Sequence, residues 1–369
     1  MNGWPISSGR ANSDVIYVNA AGTPVIVLNS AEAAYDLLKK RSSIYSDRMR
    51  MAMVNDLIGA NWFFTFMGYG QDWRVRRQAF HQEFHPAAAV KYRPRQVKVA
   101  RELLRHLLAD PDAFLEHLRH MSGALIISVV YGLDVPPKDD PYIAIAEKAN
   151  HALIMAGNAA LTLLPSETHT DMVSRGPLQA PSVGVEKAND GHDTGSVPAV
   201  KEAIADGVAS PSVAMSLLSK LNEDDNYTEY EYVYRGVAAA AFSGGADTTL
   251  SALGSFFLAM VLYPAVQRKA QEELDRIVGR DRLPEFSDEP SLPYVTAVIR
   301  ELLRWRPLAI PHRLMVEDVY RGYRLPAGSM VVGNVCSVLA SFDIMKAVDV
   351  DGKEMEPTGE YSTGIIRYV

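Results

Sequence analysis

A chain of 369 residues can form one large domain or two of average size. With 48% hydrophobic and 22% charged residues it has the make-up of a folded globular protein, not a disordered one. A formal net charge of −7 argues against a nucleic-acid binder, and a single cysteine, Cys336, excludes an internal disulfide or a cysteine-rich zinc site.

The chain starts Met1-Asn2-Gly3-Trp4-Pro5, with no basic flank and no apolar stretch, so no signal peptide or membrane anchor is expected. Residues Asp14 to Leu28 alternate and are rich in Val and Ile, which predicts a hairpin turning at Ala21-Gly22-Thr23-Pro24. Asn29-Ser30-Ala31-Glu32 then combines a capping residue with an acid three positions on, opening a helix through Lys40. Apolar residues at three- and four-residue spacing predict helices over Arg74–Phe84, Gln96–Leu108 and Asp112–Tyr131. From Pro165 to Val197 the pattern stops, and Gly, Pro, Ser, Thr, His and Asp follow without period; a structureless loop of that length is unusual inside a domain.

Helical pattern resumes at Pro198-Ala199-Val200-Lys201-Glu202 and leads into a long apolar run from about Val233 to Tyr263. Roughly 20 apolar residues suffice to cross a bilayer. Asp247 and its small polar neighbours sit mid-run, however, where a lipid-facing charge is costly, so a buried central helix is expected. Further helices are predicted over Ala265–Val278 and Leu292–Arg304, then a second hairpin over Gly322–Gly333 turning at Leu325-Pro326-Ala327-Gly328. The tail from Asp349 to Val369 is polar with a weak strand signal. No internal repeat or low-complexity tract interrupts the chain, which reads as mainly α with small β-sheets, an α+β class, in a single domain over residues 1–369.

Three groups of residues carry chemical interest. The long helix is notched at Ser243-Gly244-Gly245-Ala246-Asp247-Thr248-Thr249. Two interior glycines each cost about 1 kcal/mol relative to alanine. A flat ligand approaching the backbone would offset that cost, and so would a tight helix crossing. Thr side chains can bond back to the preceding turn and open the helix, and an acid beside a hydroxyl suits a proton relay. Glu301 and Arg304, at positions i and i+3, can pair; in isolation such a pair is an ordinary surface contact. Trp73 and Arg77, one helical turn apart, can present an indole N–H and a guanidinium to a carboxylate, or simply form a solvated basic face. His312, in Pro311-His312-Arg313, is a further candidate anion contact. His117 and His120 form an i, i+3 pair with no third ligand near in sequence, which predicts ordinary surface histidines.

Order and spacing say more than each group alone. Gly-Gly-x-acid-Thr-Thr on a long helix, then Glu-x-x-Arg, then Pro-His-Arg and a short hairpin, is similar to the cytochrome P-450 family. Upstream, Tyr45-Ser46-Asp47-Arg48 and the Trp-x-x-x-Arg helix resemble that family in the right order, in particular the fungal group that includes O-methylsterigmatocystin oxidoreductase. The likeness runs from about Asp14 to Met155 and from about Ala199 to Asn334, with a last piece from about Ser337 to Tyr361. It implies a P-450 fold and a heme cofactor. Asp247 and Thr248 would deliver protons to oxygen, and Gly244 and Gly245 would line the oxygen groove. Glu301 and Arg304 would form a structural lock in the core, and Trp73, Arg77 and His312 would hold the heme propionates. The implied activity is monooxygenation of an apolar small molecule, a secondary metabolite, by a monomer. Electrons would come from an NADPH-dependent reductase at the endoplasmic reticulum membrane; without an anchor, the chain itself would be cytoplasmic.

One segment departs from the resemblance. The family's iron-binding thiolate lies in Phe-x-x-Gly-x-Arg-x-Cys-x-Gly, and aligning Cys336 to that frame puts Ser329, Val332, Asn334 and Val338 at the four fixed positions. None matches, so Cys336 is rejected as a metal ligand and no metal-binding residue is expected. The residues from Val335 to Asp343 resemble instead the helix that follows the ligand loop. A deletion junction near 334–336 is therefore expected, leaving the fold incomplete at its C-terminal core. A skipped exon or a faulty gene model accounts for it, and a non-catalytic helical interaction protein is the alternative function.

Overall fold

The alternation at the start of the chain folds as its period implies. Val15–Ala20 (β1) and Thr23–Leu28 (β2) pair antiparallel, with Val15 opposite Leu28 and Ala20 opposite Thr23. Gly22, in the connecting turn, takes a φ of 90° that only glycine adopts freely. The computed structural model describes residues 13–20, 22–51, 53–57, 59–135, 150, 153, 196–221, 227–305, 310–333, 347–348 and 354–355. These gather in two compact units: one holds the described residues up to Arg74 and from 310 onward, the other those from Val75 to 305.

In the first unit, the N–H of Asn29 closes the hairpin on the carbonyl of Asp14, and the helix cap is Ser30, whose side chain accepts from the N–H of Ala33 at 3.1 Å. The helix Ala31–Ala34 (α1) widens through Tyr35–Lys40, where the N–H of Arg41 reaches back to Asp36, and Ser42–Tyr45 (α2) follows. The predicted second hairpin is placed differently. Asp318–Tyr320 (β4) pairs with Tyr323–Leu325 (β5) about a turn at Arg321 and Gly322, which take φ of 49° and 82°. Met330–Gly333 (β6) does not return along β5. It enters a four-stranded sheet, parallel to β2 and antiparallel to His312–Arg313 (β3), in the order β1-β2-β6-β3.

The correction has a local cause. Gly328, at φ 79°, donates to the carbonyl of Leu314, and Leu314 donates to that of Ser329, so Pro326–Ser329 turns the chain away from β5. Ile26, Leu28, Leu37, Tyr45, Leu314, Leu325 and Val331 form the fully buried core beneath this sheet. Burying each such apolar side chain contributes roughly 1.5–3 kcal/mol. Further on, Ala347–Val348 (β7) and Glu354–Met355 (β8) pair antiparallel. Cys336, the expected junction at 334–336 and the part of the patternless stretch from 165 to 195 lie outside the described residues.

The second unit is helical. Gln71–Phe84 (α3), whose first turn lies in the other unit, is followed by Pro86–Ala89 (α4), Arg93–Ala109 (α5) and Phe114–Tyr131 (α6). The helix α6 ends where Gly132 takes φ 74°, with the carbonyl of Ser210 packed against the place a side chain would need. Beyond it come Ser196–Ala205 (α7), Val213–Leu218 (α8), Tyr227–Leu262 (α9), Pro264–Ile277 (α10) and Pro293–Trp305 (α11).

The long apolar run is α9, 36 residues and about 54 Å of helix. It ends at Leu262 and leaves out Tyr263, because Pro264 disfavours helical backbone in its predecessor. By length and composition α9 could cross a membrane; within this unit it lies along α6. Its Val233, Val237, Ala238 and Ala241 are buried with Val129, Val130 and Tyr131 of α6, with Val197 and Val200 of α7, and with Val213, Leu217 and Leu218 of α8. Burial does not continue to the end, since Val261 is 78% exposed.

Candidate functional site

The notch in α9 contains two glycines with different surroundings. A Cβ added to Gly245 would lie 2.5 Å from the Cδ1 of Ile126 and 2.8 Å from its Cγ1, closer than any relaxed contact. Gly245 therefore answers to the crossing of α9 over α6, which Ser122 fastens by donating to the carbonyl of Ala246. Gly244, one position earlier, is exposed, and a Cβ there would meet nothing within 4 Å. Open space lies on that side of the helix.

Thr248 uses its hydroxyl locally, donating to the carbonyl of Gly244 at 2.5 Å. Such a bond from residue i to i−4 competes with the helix ladder and opens it. Asp247, half-buried, precedes Thr248, but consecutive helical residues do not share a face. On the preceding turn Ser243 donates to the side-chain oxygen of the buried Asn150. The notch thus combines an open backbone face at Gly244, whose carbonyl also accepts from Thr248, and an acid turned about 100° away from Thr248.

Glu301 and Arg304 pair on α11 as their spacing predicts. The guanidinium donates through Nε at 2.7 Å and through Nη2 at 2.5 Å, so the contact is bidentate. The Arg304 hydrogen bonds hold the Glu301 carboxyl below its usual range. The resemblance implies a core lock, yet the side chains are 53% and 39% exposed. They border an open cleft of about 730 Å³ with Glu289, Thr296 and Arg300. No residue of α11 is buried among the described residues, and Leu303 is 60% exposed. The helix is oriented by a residue that sequence reasoning missed. Glu273 of α10, itself buried, accepts from the backbone N–H groups of Tyr294 and Val295 at 2.9 Å each. Nothing in the sequence around Glu273 separates it from the other acids of α10.

The remaining candidates begin with Trp73 and Arg77, which α3 places one turn apart, on one face by helix geometry. The Trp73 ring is tilted against Tyr69 at 5.2 Å, and the Arg77 guanidinium stands 5.6 Å from the Phe80 ring centre. In the first unit, His312 on β3 donates through Nδ1 to the carbonyl of Tyr45 at 2.6 Å; a carbonyl only accepts, so Nδ1 carries the proton. Burial pushes the His312 pKa below its ordinary value and the nearby Arg48 pushes it further. A neutral His312 then offers Nε2 as an acceptor, so holding a carboxylate requires a second proton. An anion nearby favours that protonation and Arg48 opposes it.

Two further residues of this unit were visible only as part of a motif. In Tyr45-Ser46-Asp47-Arg48, Asp47 accepts from the N–H of Tyr69 at 2.8 Å and from Arg313 at 2.9 Å. Arg48 donates to the carbonyls of Ile310 and Pro311 at 2.8 and 3.0 Å, with its pKa lowered by burial. The motif therefore braces the segment that carries His312.

Comparison with known proteins agrees over most of the chain. The family described as Cytochrome P450 matches residues 11–343. "Cytochrome P450 monooxygenase ple1" of Rhodocybe pseudopiperita is 34% identical, over 96% of this chain and 81% of that protein. "Tryptamine 4-monooxygenase" of Psilocybe cyanescens is 38% identical over 89% of this chain, which spans 66% of its length. Among solved structures, a zebra fish cytochrome P450 with abiraterone superposes with a TM-score of 0.68 at 21% identity, covering 88% of this chain and 74% of that one. That likeness is one of fold. The alignment with the Rhodocybe protein runs over 424 positions, more than the 369 residues of this chain, so it holds gaps on this chain's side.

Proposed function

This chain belongs to the cytochrome P450 family, and from that premise we propose that it is a single-domain heme monooxygenase of the fungal type in a form impaired for oxygen chemistry. The substrate class is an apolar small molecule of secondary metabolism. The name of the Psilocybe relative, a tryptamine 4-monooxygenase, supports a compact aromatic metabolite. In this reading an NADPH-dependent reductase of the endoplasmic reticulum supplies electrons, and the narrower kinship is with O-methylsterigmatocystin oxidoreductase-like members.

The observation that carries the reading is the open backbone face at Gly244, near Asp247 and Thr248 on a 36-residue helix. A flat macrocycle can lie against such a face. Trp73, Arg77 and His312 are of the right type for its carboxylates, His312 once doubly protonated. Gly245, packed on Ile126, serves the helix crossing that makes the face rigid. Heme, when bound through a thiolate, supplies the oxygen activation of this family.

In this reading the residues present do not supply the family's thiolate. No described residue is a cysteine, and Cys336 stands outside both the described residues and the family's ligand frame. A gapped alignment with the Rhodocybe relative supports a segment missing from within this chain. We therefore derive no catalytic step through the cofactor.

A second reading, a non-catalytic remnant that acts through association, rests on the apolar residues left exposed on the second unit: Val261 and Leu262 at the end of α9, Ile299 and Leu303 on α11. Heme reconstitution followed by reduction under carbon monoxide separates the two. The expected result is heme retention without the thiolate-type absorption band. A thiolate-type band would overturn the impairment, and failure to retain heme at all would favour the remnant.

A further inference from the structure

Helix α11 carries two apolar stripes, and only one of them faces its own unit. Val298 and Leu302 are half-buried, as the inward side of a helix packed on α9 and α10 should be. Ile299 and Leu303, one turn apart on another side, are each more than half exposed. They form a ridge that runs beside the open cleft without lining it. The exposed Tyr263, just past α9, has its ring centre 6.3 Å from that of Trp305, which brings a further apolar surface to the C-terminal end of α11. Single exposed apolar side chains are ordinary, whereas a contiguous set marks an interaction surface.

Charge along this face is divided by end. Glu289 lies in the turn Phe286–Ser291 just before α11, and Arg300 and Arg304 lie in the second half of the helix; all three border the cleft. Arg304 is held by Glu301, whereas neither Glu289 nor Arg300 has a side-chain partner among the described residues. We propose that this face pairs with a second copy of the chain, the two α11 helices packing antiparallel about a two-fold axis. A ridge beside a groove complements itself: a two-fold axis between them lays the ridge of each copy in the groove of the other.

The free charges select the antiparallel direction. It sets Arg300 of each copy against Glu289 of the other and lays Ile299 over the prolines of the facing cleft, Pro290 and Pro293. It also opposes the two helix dipoles. Parallel packing would put like charges side by side, which is costly at an interface. Apolar burial supplies the affinity, because exposed ion pairs add little, and the charges fix the direction. The proposal rests on the association reading above, for which it names the partner, and it does not depend on heme.

Sedimentation velocity of the full-length chain over a concentration series tests this. A monomer–dimer equilibrium is expected, its dissociation constant raised at least about tenfold by Leu303→Asp and by either single reversal, Arg300→Glu or Glu289→Arg. The double reversal, Arg300→Glu with Glu289→Arg, restores the charge match and should recover most of the affinity, a result that a folding defect cannot produce. Leu108→Asp on α5, at a still more exposed leucine away from this face, should leave the equilibrium unchanged. A dimer indifferent to Leu303→Asp and to both reversals would overturn this face while leaving self-association standing. Single reversals that weaken the dimer without rescue by the double one would overturn the antiparallel arrangement. A chain monomeric at every concentration would overturn the dimer itself, and co-sedimentation of that monomer with phosphatidylcholine vesicles would assign the face to lipid.

Discussion

The buried carboxylate of Glu273 on α10 accepts the backbone N–H of Tyr294, the second residue of α11, at 2.9 Å. The same oxygen takes the N–H of Val295, so one side chain from a neighbouring helix satisfies donors that an α-helix leaves free at its start. Its negative charge also meets the positive end of the helix dipole. No residue of α11 is buried among those described, and this capping contact is one of those that position the helix carrying Glu301 and Arg304.

Replacing Glu273 by Ala leaves two N–H groups unsatisfied and should cost about 1.5–3 kcal/mol, the range for a hydrogen bond to a charged group. Urea unfolding at neutral pH measures it. Glu273→Gln should recover part of the loss, since an amide oxygen still accepts. Equal stability of the Ala variant and the wild type would show that α11 is held by something else.

The two glycines of the notch should respond in opposite directions to alanine. Gly245→Ala forces Ile126 to move and should destabilise by about 1–3 kcal/mol, as overpacking does. Gly244→Ala meets open space and gains helix propensity of about 0.5–1 kcal/mol. Thermal unfolding of both variants, with Gly245→Ala/Ile126→Ala as the compensating pair, reads the contrast. If both single variants behave alike, the helix crossing is not where the structure puts it.

Glu83 gives the second unit a built-in acid sensitivity. Its carboxylate is only 3% exposed, and it binds Lys91 at 2.7 Å, Ser216 at 2.7 Å and Lys220 at 3.2 Å. Burial alone would raise its pKa; the three donors together outweigh burial and bring it below the usual 4.5 of a glutamate. A carboxyl depressed in the folded state adds stability that is complete above 4.5 and is lost as pH falls through the lower folded value. Denaturant midpoints measured from pH 6 downward should therefore drop below about 4.5, and Glu83→Gln should flatten that limb while lowering stability at neutral pH. A limb of unchanged steepness in the variant would assign the effect to other carboxylates.

His312 should titrate below its ordinary 6.5, because burial and Arg48 both disfavour its charged form. Its contribution to stability is present above 6.5 and is lost as pH falls through the depressed folded value. An NMR titration of the imidazole ring protons reads the midpoint directly. Arg48→Met should move it upward by removing a like charge; a midpoint at or above 6.5 in the unchanged chain would contradict the neutral state assigned to His312.

Local chemistry made several elements legible in advance. The β1–β2 hairpin follows from two-residue alternation around Gly22, and α9 from an uninterrupted apolar run that ends before Pro264. The Glu301–Arg304 contact needs only a helix and a three-residue step. Residue type and helical spacing singled out the notch and the candidate anion contacts, and the family resemblance added the roles proposed for them. Each of these depends on neighbours within a few residues, and chain order is enough to specify such relations.

Other features depend on which distant segments meet. Strand β6 leaves β5 to lie parallel to β2, a pairing of Met330 with Val25 that no local turn signal encodes. Identical neighbours in sequence, Gly244 and Gly245, differ because one faces space and the other faces Ile126 on another helix. The burial of Glu273, the exposure of Glu301 and the approach of His106 to His117 are likewise set by helix packing. Sequence alone determined which elements form and which family frame they follow, because propensity and period act over one or two turns. Only the tertiary structure decided which side chains are enclosed, capped or brought together, because those outcomes depend on contacts between residues far apart in the chain.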